Sequence, residues 1–119
     1  MVDDSAAVRE RVVVMLREIA GVEIVGEASD GPSAIVLARA SHPRAIVLDL
    51  QMRGGNGIDV LTELKRGPSA PLVIVLTNHA DDQHRRRCLA RGADHFFDKS
   101  TEFERVADVL ARTALLDLA

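Results

Sequence analysis

The segment Ala45-Ile46-Val47-Leu48-Asp49 sets the fold class, because four consecutive apolar residues lead directly into a carboxylate. An apolar run without polar alternation is typical of a parallel strand that is buried on both faces. The run Leu72-Val73-Ile74-Val75-Leu76 has the same character and is followed by Thr77. Open α/β sheets keep their chemistry at the carboxyl ends of such strands, so Asp49 and Thr77 are predicted to lie at one edge.

The rest of the chain alternates between helical and extended patterns. Apolar residues recur at helical spacing after Ser5, which can cap the first helix, and Gly21 ends that helix. The stretch Gly54-Gly55-Asn56-Gly57 is predicted to form a flexible loop. Short connections between strands and helices specify a parallel sheet with helices on both faces. The predicted helices are residues 6–20, 32–40, 58–65, 82–91 and 102–116, and the predicted strands are residues 22–28, 45–49, 72–76 and 94–98.

Length and charge exclude several classes of protein. The 119 residues suit one domain with a real core, and a fused output module is not expected. A formal net charge of −3 argues against a nucleic-acid footprint, and no apolar stretch approaches the roughly 20 residues that span a bilayer. The start of the chain does not form a basic signal peptide, so a cytoplasmic location is expected. The lone Cys88 excludes an internal disulfide framework and is interpreted as a small buried hydrophobe.

Acidic, hydroxyl and amine side chains occupy equivalent ends of the predicted strands. Asp49 can accept a phosphoryl group as an acyl phosphate, provided that positive charge lies beside it to receive the anionic donor. Asp3 and Asp4 would supply that charge indirectly, because converging carboxylates favour a hard divalent cation such as Mg²⁺. Lys99 provides a fixed cation after the last strand, and the Thr77 hydroxyl can donate to a phosphoryl oxygen. Together these residues predict a phosphoryl site.

Five short motifs mark these strand ends. They are Val2-Asp3-Asp4-Ser5, Ile46-Val47-Leu48-Asp49-Leu50, Gly55-Asn56-Gly57, Val75-Leu76-Thr77 and Gly92-Ala93-Asp94-His95-Phe96-Phe97-Asp98-Lys99. Each is weak alone, but in this order they resemble the receiver domains of two-component response regulators over essentially the whole chain. The resemblance implies a stand-alone receiver at residues 1–119. Its implied fold is an α/β, flavodoxin-like, doubly wound parallel five-stranded sheet in the order 2-1-3-4-5.

The resemblance also implies a role for individual residues. Asp49 would be the phosphoacceptor and a ligand of Mg²⁺. Asp4 would bind the metal directly, Asp3 would act mainly through water, and the backbone carbonyl of Gln51 would complete the protein's share of the metal shell.

Further positions are implied to contact the phosphoryl group or respond to it. Lys99 and Thr77 would bind it, and Thr77 would move toward it. Phe96 would follow inward and alter the surface of the fourth helix, fifth strand and fifth helix, by packing alone because this residue has no hydroxyl. Gln51 and His79 match positions that tune the lifetime of the phosphorylated state.

The implied function is a phosphorylation-dependent signalling receiver. It would take its phosphoryl group from a histidine kinase or phosphotransfer protein and signal to an unknown downstream protein target, without direct contact with nucleic acid or membrane. It would not be an enzyme beyond Mg²⁺-dependent self-phosphorylation and autodephosphorylation. The alternative is a pseudo-receiver that is not phosphorylated and acts as a protein-interaction module. An aspartyl-phosphate hydrolase would need aspartate where this chain has Gln51, and a flavin carrier rests on fold analogy alone.

The chain departs from the family pattern at three places, one of which is Asn78, which follows Thr77 in place of the usual small residue. Only Met1 and Val2 precede Asp3 in what would be the central first strand, whereas a strand usually has about five or six residues. This strand is expected either to survive as a stub or to lack a few upstream residues through a misplaced start. Ser100 follows Lys99 where most of the family has proline, and that proline commonly makes the peptide bond cis. A cis bond before serine is costly, so the bond could be trans here and place the Lys99 amine differently.

Simpler interpretations stay open for single residues. Asp3 and Asp4 could be acidic residues at a helix N-terminus, Thr77 could serve a turn, and Lys99 could be a solvated charge. The segment His84-Arg85-Arg86-Arg87 is either a docking surface for an acidic partner or a solvated helix face. The four histidines show no spacing typical of a transition-metal site.

Overall fold

Three parallel strands form the centre of the computed structural model, which describes residues 1–2, 5–52, 55–78 and 80–118. The elements in chain order are α1 (Ala6–Arg17), α2 (Gly31–Ser41), β1 (Ala45–Leu48), β2 (Gln51–Met52), β3 (Gly55–Asn56), α3 (Gly57–Leu64), β4 (Leu72–Thr77), α4 (Asp82–Ala90), β5 (His95–Asp98) and α5 (Phe103–Leu118). The central strands lie in the order β1-β4-β5, with Ile46 opposite Val73 and Val75 opposite Phe96. Their ends lie within one residue of the predicted ends.

Val2 holds the place of a first strand as a short stub. Its N–H donates to the Val47 carbonyl at 2.8 Å, and its carbonyl accepts from the Asp49 N–H at 3.0 Å. On the other side the Ala28 N–H donates to the Met1 carbonyl at 3.0 Å. The order across the sheet is therefore the segment ending at Ala28, the stub, β1, β4 and β5. This is the flavodoxin-like order 2-1-3-4-5, and the predicted stub is confirmed.

The predicted strand at residues 22–28 is wrong in its length. Within the described ranges only Ala28 pairs, through a single bridge, and residues 22–27 have no regular secondary structure. The reason is that the neighbouring stub contains only Met1 and Val2, so the earlier residues of the segment have no adjacent strand with which to form hydrogen bonds. The described sheet thus has three regular strands, a stub and a bridge in place of five full strands.

Side-chain caps begin three of the helices. The Ser5 hydroxyl accepts from the Val8 N–H at 3.3 Å, which confirms the predicted cap of α1. Asp30 and Asp81 accept backbone N–H groups at the starts of α2 and α4, at 2.8 and 2.9 Å. Helix α1 ends at Arg17, three residues before its predicted end, and the other helix ends lie within two residues of prediction.

The sheet separates two apolar cores, because consecutive strand side chains point to opposite faces. Leu48 and Phe96 pack with residues of α2, α3 and α4 on one face, where Cys88 is buried as predicted. Val47 and Phe97 pack with residues of α1 and α5 on the other face. Helices therefore cover both faces, and the predicted doubly wound fold is confirmed.

The glycine-rich stretch before α3 contains paired backbone. Gln51–Met52 pairs antiparallel with Gly55–Asn56, so the prediction of a wholly flexible loop is corrected by this short ladder. Gly57 begins α3 where a Cβ atom would lie 2.5 Å from the backbone of Leu50. Only glycine permits that approach without a shift.

A cavity of about 550 Å³ lies beside Met1, between residues 21–26 and residues 42–47. Its lining includes side chains from both cores, among them Leu16, Ala34, Leu37 and Leu110. Val47 and Asp49 turn backbone groups toward the stub, so by strand alternation Ala45 turns its own toward the cavity. The cavity thus offers apolar walls and backbone partners to an extended segment.

Joining four apolar residues, Ile-Val-Leu-Val, to the Met1 nitrogen is expected to raise the free energy of unfolding by about 3 kcal/mol. Their side chains would be buried in both cores, and that burial stabilises the fold by more than the entropy cost of ordering the four residues. Urea unfolding of the extended and parent chains measures the change. A Gly-Ser extension of equal length is the control and should leave the free energy unchanged. Equal stability of the two extended chains would show that the cavity does not accept a strand.

Candidate functional site

Asp49 lies one residue beyond β1, where the apolar run stops. Only 4% of the residue is exposed, and its N–H is held by the carbonyl of Val2. Its carboxylate accepts from the Gln51 N–H at Oδ1, at 3.2 Å, and from Lys99 Nζ at Oδ2, at 2.9 Å. The end of β1 therefore presents a buried carboxylate that is paired with a cation.

The ion pair between Lys99 and Asp49 is well shielded from water. The two side chains are 12% and 6% exposed. Lys99 is placed by β5 and β4, because its N–H donates to the Thr77 carbonyl at 2.9 Å. Solvent screens a pair at this depth only weakly, so loss of one partner leaves a charge in a poor environment.

Ser100 shapes the loop that carries Lys99. Its hydroxyl and its N–H donate to Asp98 Oδ1 at 2.6 and 2.8 Å. The side-chain bond first, and then the backbone bond, hold the pKa of the Asp98 carboxyl below its usual value. No cis peptide bond occurs in the described ranges, so Lys99-Ser100 is trans. The Lys99 amine nevertheless contacts Asp49, so serine in place of proline does not remove this contact.

Thr77 and Phe96 come from the neighbouring strands. Thr77 ends β4 opposite Asp98 and is fully buried. Phe96 is only 2% exposed and packs inward, and the Arg85 guanidinium lies 5.1 Å from the centre of its ring. The sequence pattern showed Arg85 only as part of a basic helix segment, because a cation over an aromatic ring requires a neighbour that is distant in the chain.

The structure brings together part of the predicted site. Asp49, Thr77 and Lys99 meet at one edge of the sheet, as their places after the strands predicted. Gln51 follows in β2 with an exposed side chain. Three further predicted residues lie outside the described residues, namely Asp3, Asp4 and His79.

The oxygen donors at this edge suit magnesium in their chemistry. Asp49 contributes a buried carboxylate, and the chain enters Asp3 and Asp4 directly from Val2, whose carbonyl bonds the Asp49 N–H. Carboxylate oxygens are the donors that a hard divalent cation prefers. Within the described ranges no three His, Cys, Asp or Glu side chains are grouped to hold a metal ion, and Asp3 and Asp4 lie outside those ranges.

Comparison with known proteins shows the family of the chain. The family model of the response regulator receiver domain matches residues 1–111. This chain belongs to the response regulator receiver family. The receiver is 33% identical over 110 residues to the transcriptional regulatory protein LiaR of Bacillus subtilis (strain 168), covering 92% of the chain and 52% of LiaR. It is 38% identical over 104 residues to a protein-glutamate methylesterase/protein-glutamine glutaminase of Desulfotalea psychrophila, covering 86% of the chain and 29% of that protein.

Among solved structures, the receiver is similar to the signal receiver domain of the response regulator NarL from Mycobacterium tuberculosis. The TM-score is 0.85 at 28% identity, with 95% of this chain and 91% of that chain covered. Family membership makes the chain a two-component phosphorelay signalling domain with a flavodoxin-like fold, of a kind that generally depends on Mg²⁺.

The receiver spans about half the length of LiaR. Because LiaR is a transcriptional regulatory protein, the expectation of no contact with nucleic acid gains no support from this relative. In the described ranges no helix is both long enough and apolar enough to cross a membrane.

Replacing Lys99 with methionine is expected to lower the free energy of unfolding by about 3 kcal/mol at neutral pH, because the buried Asp49 charge loses its lysine partner. Urea unfolding of the parent chain and the variant measures the change. Asp49→Asn in the Lys99→Met background should recover most of the loss, because it removes the charge that lost its partner. A deficit that is unchanged by Asp49→Asn would contradict this account.

Proposed function

We propose that this chain is a phosphorylation-dependent signalling receiver whose Asp49 accepts a phosphoryl group from a histidine kinase or phosphotransfer protein. The observation that carries the proposal is the buried Asp49 carboxylate, with Lys99 Nζ at 2.9 Å, at the carboxyl edge of a parallel sheet. A carboxylate can attack an anionic phosphoryl donor only where fixed positive charge offsets the incoming negative charge. Residues 1–119 would form this one receiver domain.

The transfer forms a bond between phosphorus and an Asp49 carboxylate oxygen and breaks the bond between phosphorus and the donor's histidine nitrogen. The released imidazole takes up a proton from solvent. The Lys99 ammonium remains beside the new phosphoryl oxygens, and the Thr77 hydroxyl donates to one of them. Water later hydrolyses the acyl phosphate and restores the carboxylate, so the chain turns over its own phosphoryl group and no separate substrate.

Magnesium would be held by Asp4 directly, by Asp3 through water, by Asp49 and by the Gln51 carbonyl. When bound, it neutralises charge between the carboxylates and the phosphoryl oxygens. The chain's own contribution is to hold the Asp49 carboxylate in place, through the Val2 carbonyl on its backbone and the Gln51 N–H on Oδ1.

Phosphorylation would be read at the surface of α4, β5 and α5. Thr77 would move toward the phosphoryl group, and Phe96 is already buried in the core between the sheet and the helices. The signal would therefore arise from altered packing around the Phe96 ring rather than from burial of an exposed aromatic. Gln51 and His79 would flank the phosphoryl group and set how long it survives. The expected partners are the cytoplasmic kinase or phosphotransfer protein and a downstream protein target.

Incubation with Mg²⁺ and acetyl phosphate is expected to give one labile phosphoryl adduct, detected by intact mass. Asp49→Ala should abolish the adduct because it removes the acceptor oxygens. Asp59→Ala, which removes an exposed carboxylate on α3, is the matched control and should retain it. Chelation with EDTA should prevent the reaction, because the acidic cluster and the donor would repel each other without a divalent cation.

The outcomes separate two functions. A folded chain that takes no adduct would favour the pseudo-receiver, which acts only through protein contacts. An adduct that persists in Asp49→Ala would place the acceptor on another residue and refute the assignment of Asp49.

A further inference from the structure

Arg85 and Glu102 link three elements at the rim of the phosphoryl site. Arg85 lies on α4, with its guanidinium 5.1 Å from the centre of the Phe96 ring on β5. The Nη2 atom of the same guanidinium lies 3.6 Å from Glu102 Oε1, just before α5. One side chain of α4 therefore contacts both the inward aromatic and the acidic start of the last helix.

Glu102 is also tied to the loop that holds Lys99. Its N–H donates to the Asp98 carbonyl at 2.8 Å, and its Oε1 accepts from the Asp98 N–H at 3.2 Å. Asp98 directly precedes Lys99 and pairs with Thr77 in the sheet. A single carboxylate oxygen thus faces Arg85 on one side and the Lys99 loop on the other.

The pair between Arg85 and Glu102 is placed to rearrange. The two side chains are 40% and 23% exposed, and ion pairs at such positions are weak. The second oxygen of Glu102 lies 3.3 Å from Arg105 Nη1, so the carboxylate keeps a cationic partner if Arg85 leaves. Loss of the Arg85 contact would therefore leave the Glu102 carboxylate with a charged partner, so the contact can change at small cost.

We propose that Arg85 and Glu102 are positioning residues that couple the Lys99 loop to α4 and to the Phe96 ring. The coupling rests on the proposed function of Asp49 as a phosphoacceptor. When a phosphoryl group redirects the Lys99 amine, the loop moves Glu102, and the contact of Arg85 with Phe96 changes with it. The pair sets how strongly the state of Asp49 alters the surface of α4.

The first test does not require phosphorylation. The three phenylalanines are replaced biosynthetically by a fluorinated analogue, and the Phe96 ¹⁹F resonance is assigned with Phe97→Leu and Phe103→Leu. Lys99→Met should shift this resonance in the parent chain. In the Glu102→Gln background the shift should fall to less than about a third, because glutamine keeps an acceptor for Asp98 but loses the charge that faces Arg85. Glu104→Gln, a neighbouring exposed carboxylate, should leave the shift intact.

The second test follows the lifetime of the phosphoryl adduct after removal of the donor. Arg85→Gln and Glu102→Gln should change the half-life in the same direction, by about threefold or more, and the double variant should change it no further. Arg85→Lys keeps the charge, so its half-life should differ from that of the parent by no more than half of the change that Arg85→Gln causes. Arg86→Gln, an exposed arginine on the same helix, should leave the half-life unchanged.

The two tests fail in different ways. A parent chain without an adduct refutes the proposed function, while the ¹⁹F measurement still decides whether Arg85 and Glu102 couple. If the adduct forms, unchanged half-lives together with an undiminished Phe96 shift in Glu102→Gln refute the coupling. Additive effects of Arg85→Gln and Glu102→Gln would show that the two residues act separately, which also overturns it.

Discussion

Burial of the parallel strands on both faces is the constraint on which the site depends. Helices cover each face of the β1-β4-β5 sheet, so a polar side chain in the middle of β1 or β4 would have no access to water. Among the described residues, the buried polar or charged side chains are Asp49 and Thr77, and both lie at the carboxyl end of a strand. Lys99 arrives at the same edge after β5. The chemistry is concentrated there because the sheet excludes it elsewhere.

The stub connects the stability of the sheet with the geometry of the site. Its two residues bond to the Ala28 segment and to β1, and the carbonyl of Val2 also holds the N–H of Asp49. The cavity beside Met1 lies next to the stub, between residues 21–26 and residues 42–47. Core packing around the stub and the placement of the Asp49 carboxylate therefore depend on the same two residues, Met1 and Val2. A change in either should be felt in the other.

Charge at the site is arranged in two layers of different strength. The pair between Lys99 and Asp49 is shielded from water, so it resists disruption unless another anion replaces or joins the carboxylate. The pair between Arg85 and Glu102 lies at the rim, where solvent weakens it and Arg105 pairs with the second oxygen of Glu102. A shielded inner pair and a partly exposed outer pair are what the proposed switching function would require.

Local patterns were enough to predict much of this receiver. The apolar runs of β1 and β4 and the Ser5 cap each depend on residues that are close in the chain, and the structure has them where they were expected. Asp49, Thr77 and Lys99 could be grouped from sequence because parallel strands bring their carboxyl ends to one edge. Residues 22–27 were misjudged, since β-branched composition cannot supply the adjacent strand that a ladder requires.

Contacts between distant residues needed the folded chain. Three features depend on where separate elements pack. They are the approach of Arg85 to Phe96, the contact of the Lys99 amine with Asp49, and the division of Phe96 and Phe97 between two cores. Periodicity and capping are properties of a few neighbouring residues, so the sequence alone carries them. The distance between two side chains far apart in the chain is a property of the whole packing arrangement, and it exists only once the sheet and its helices have assembled.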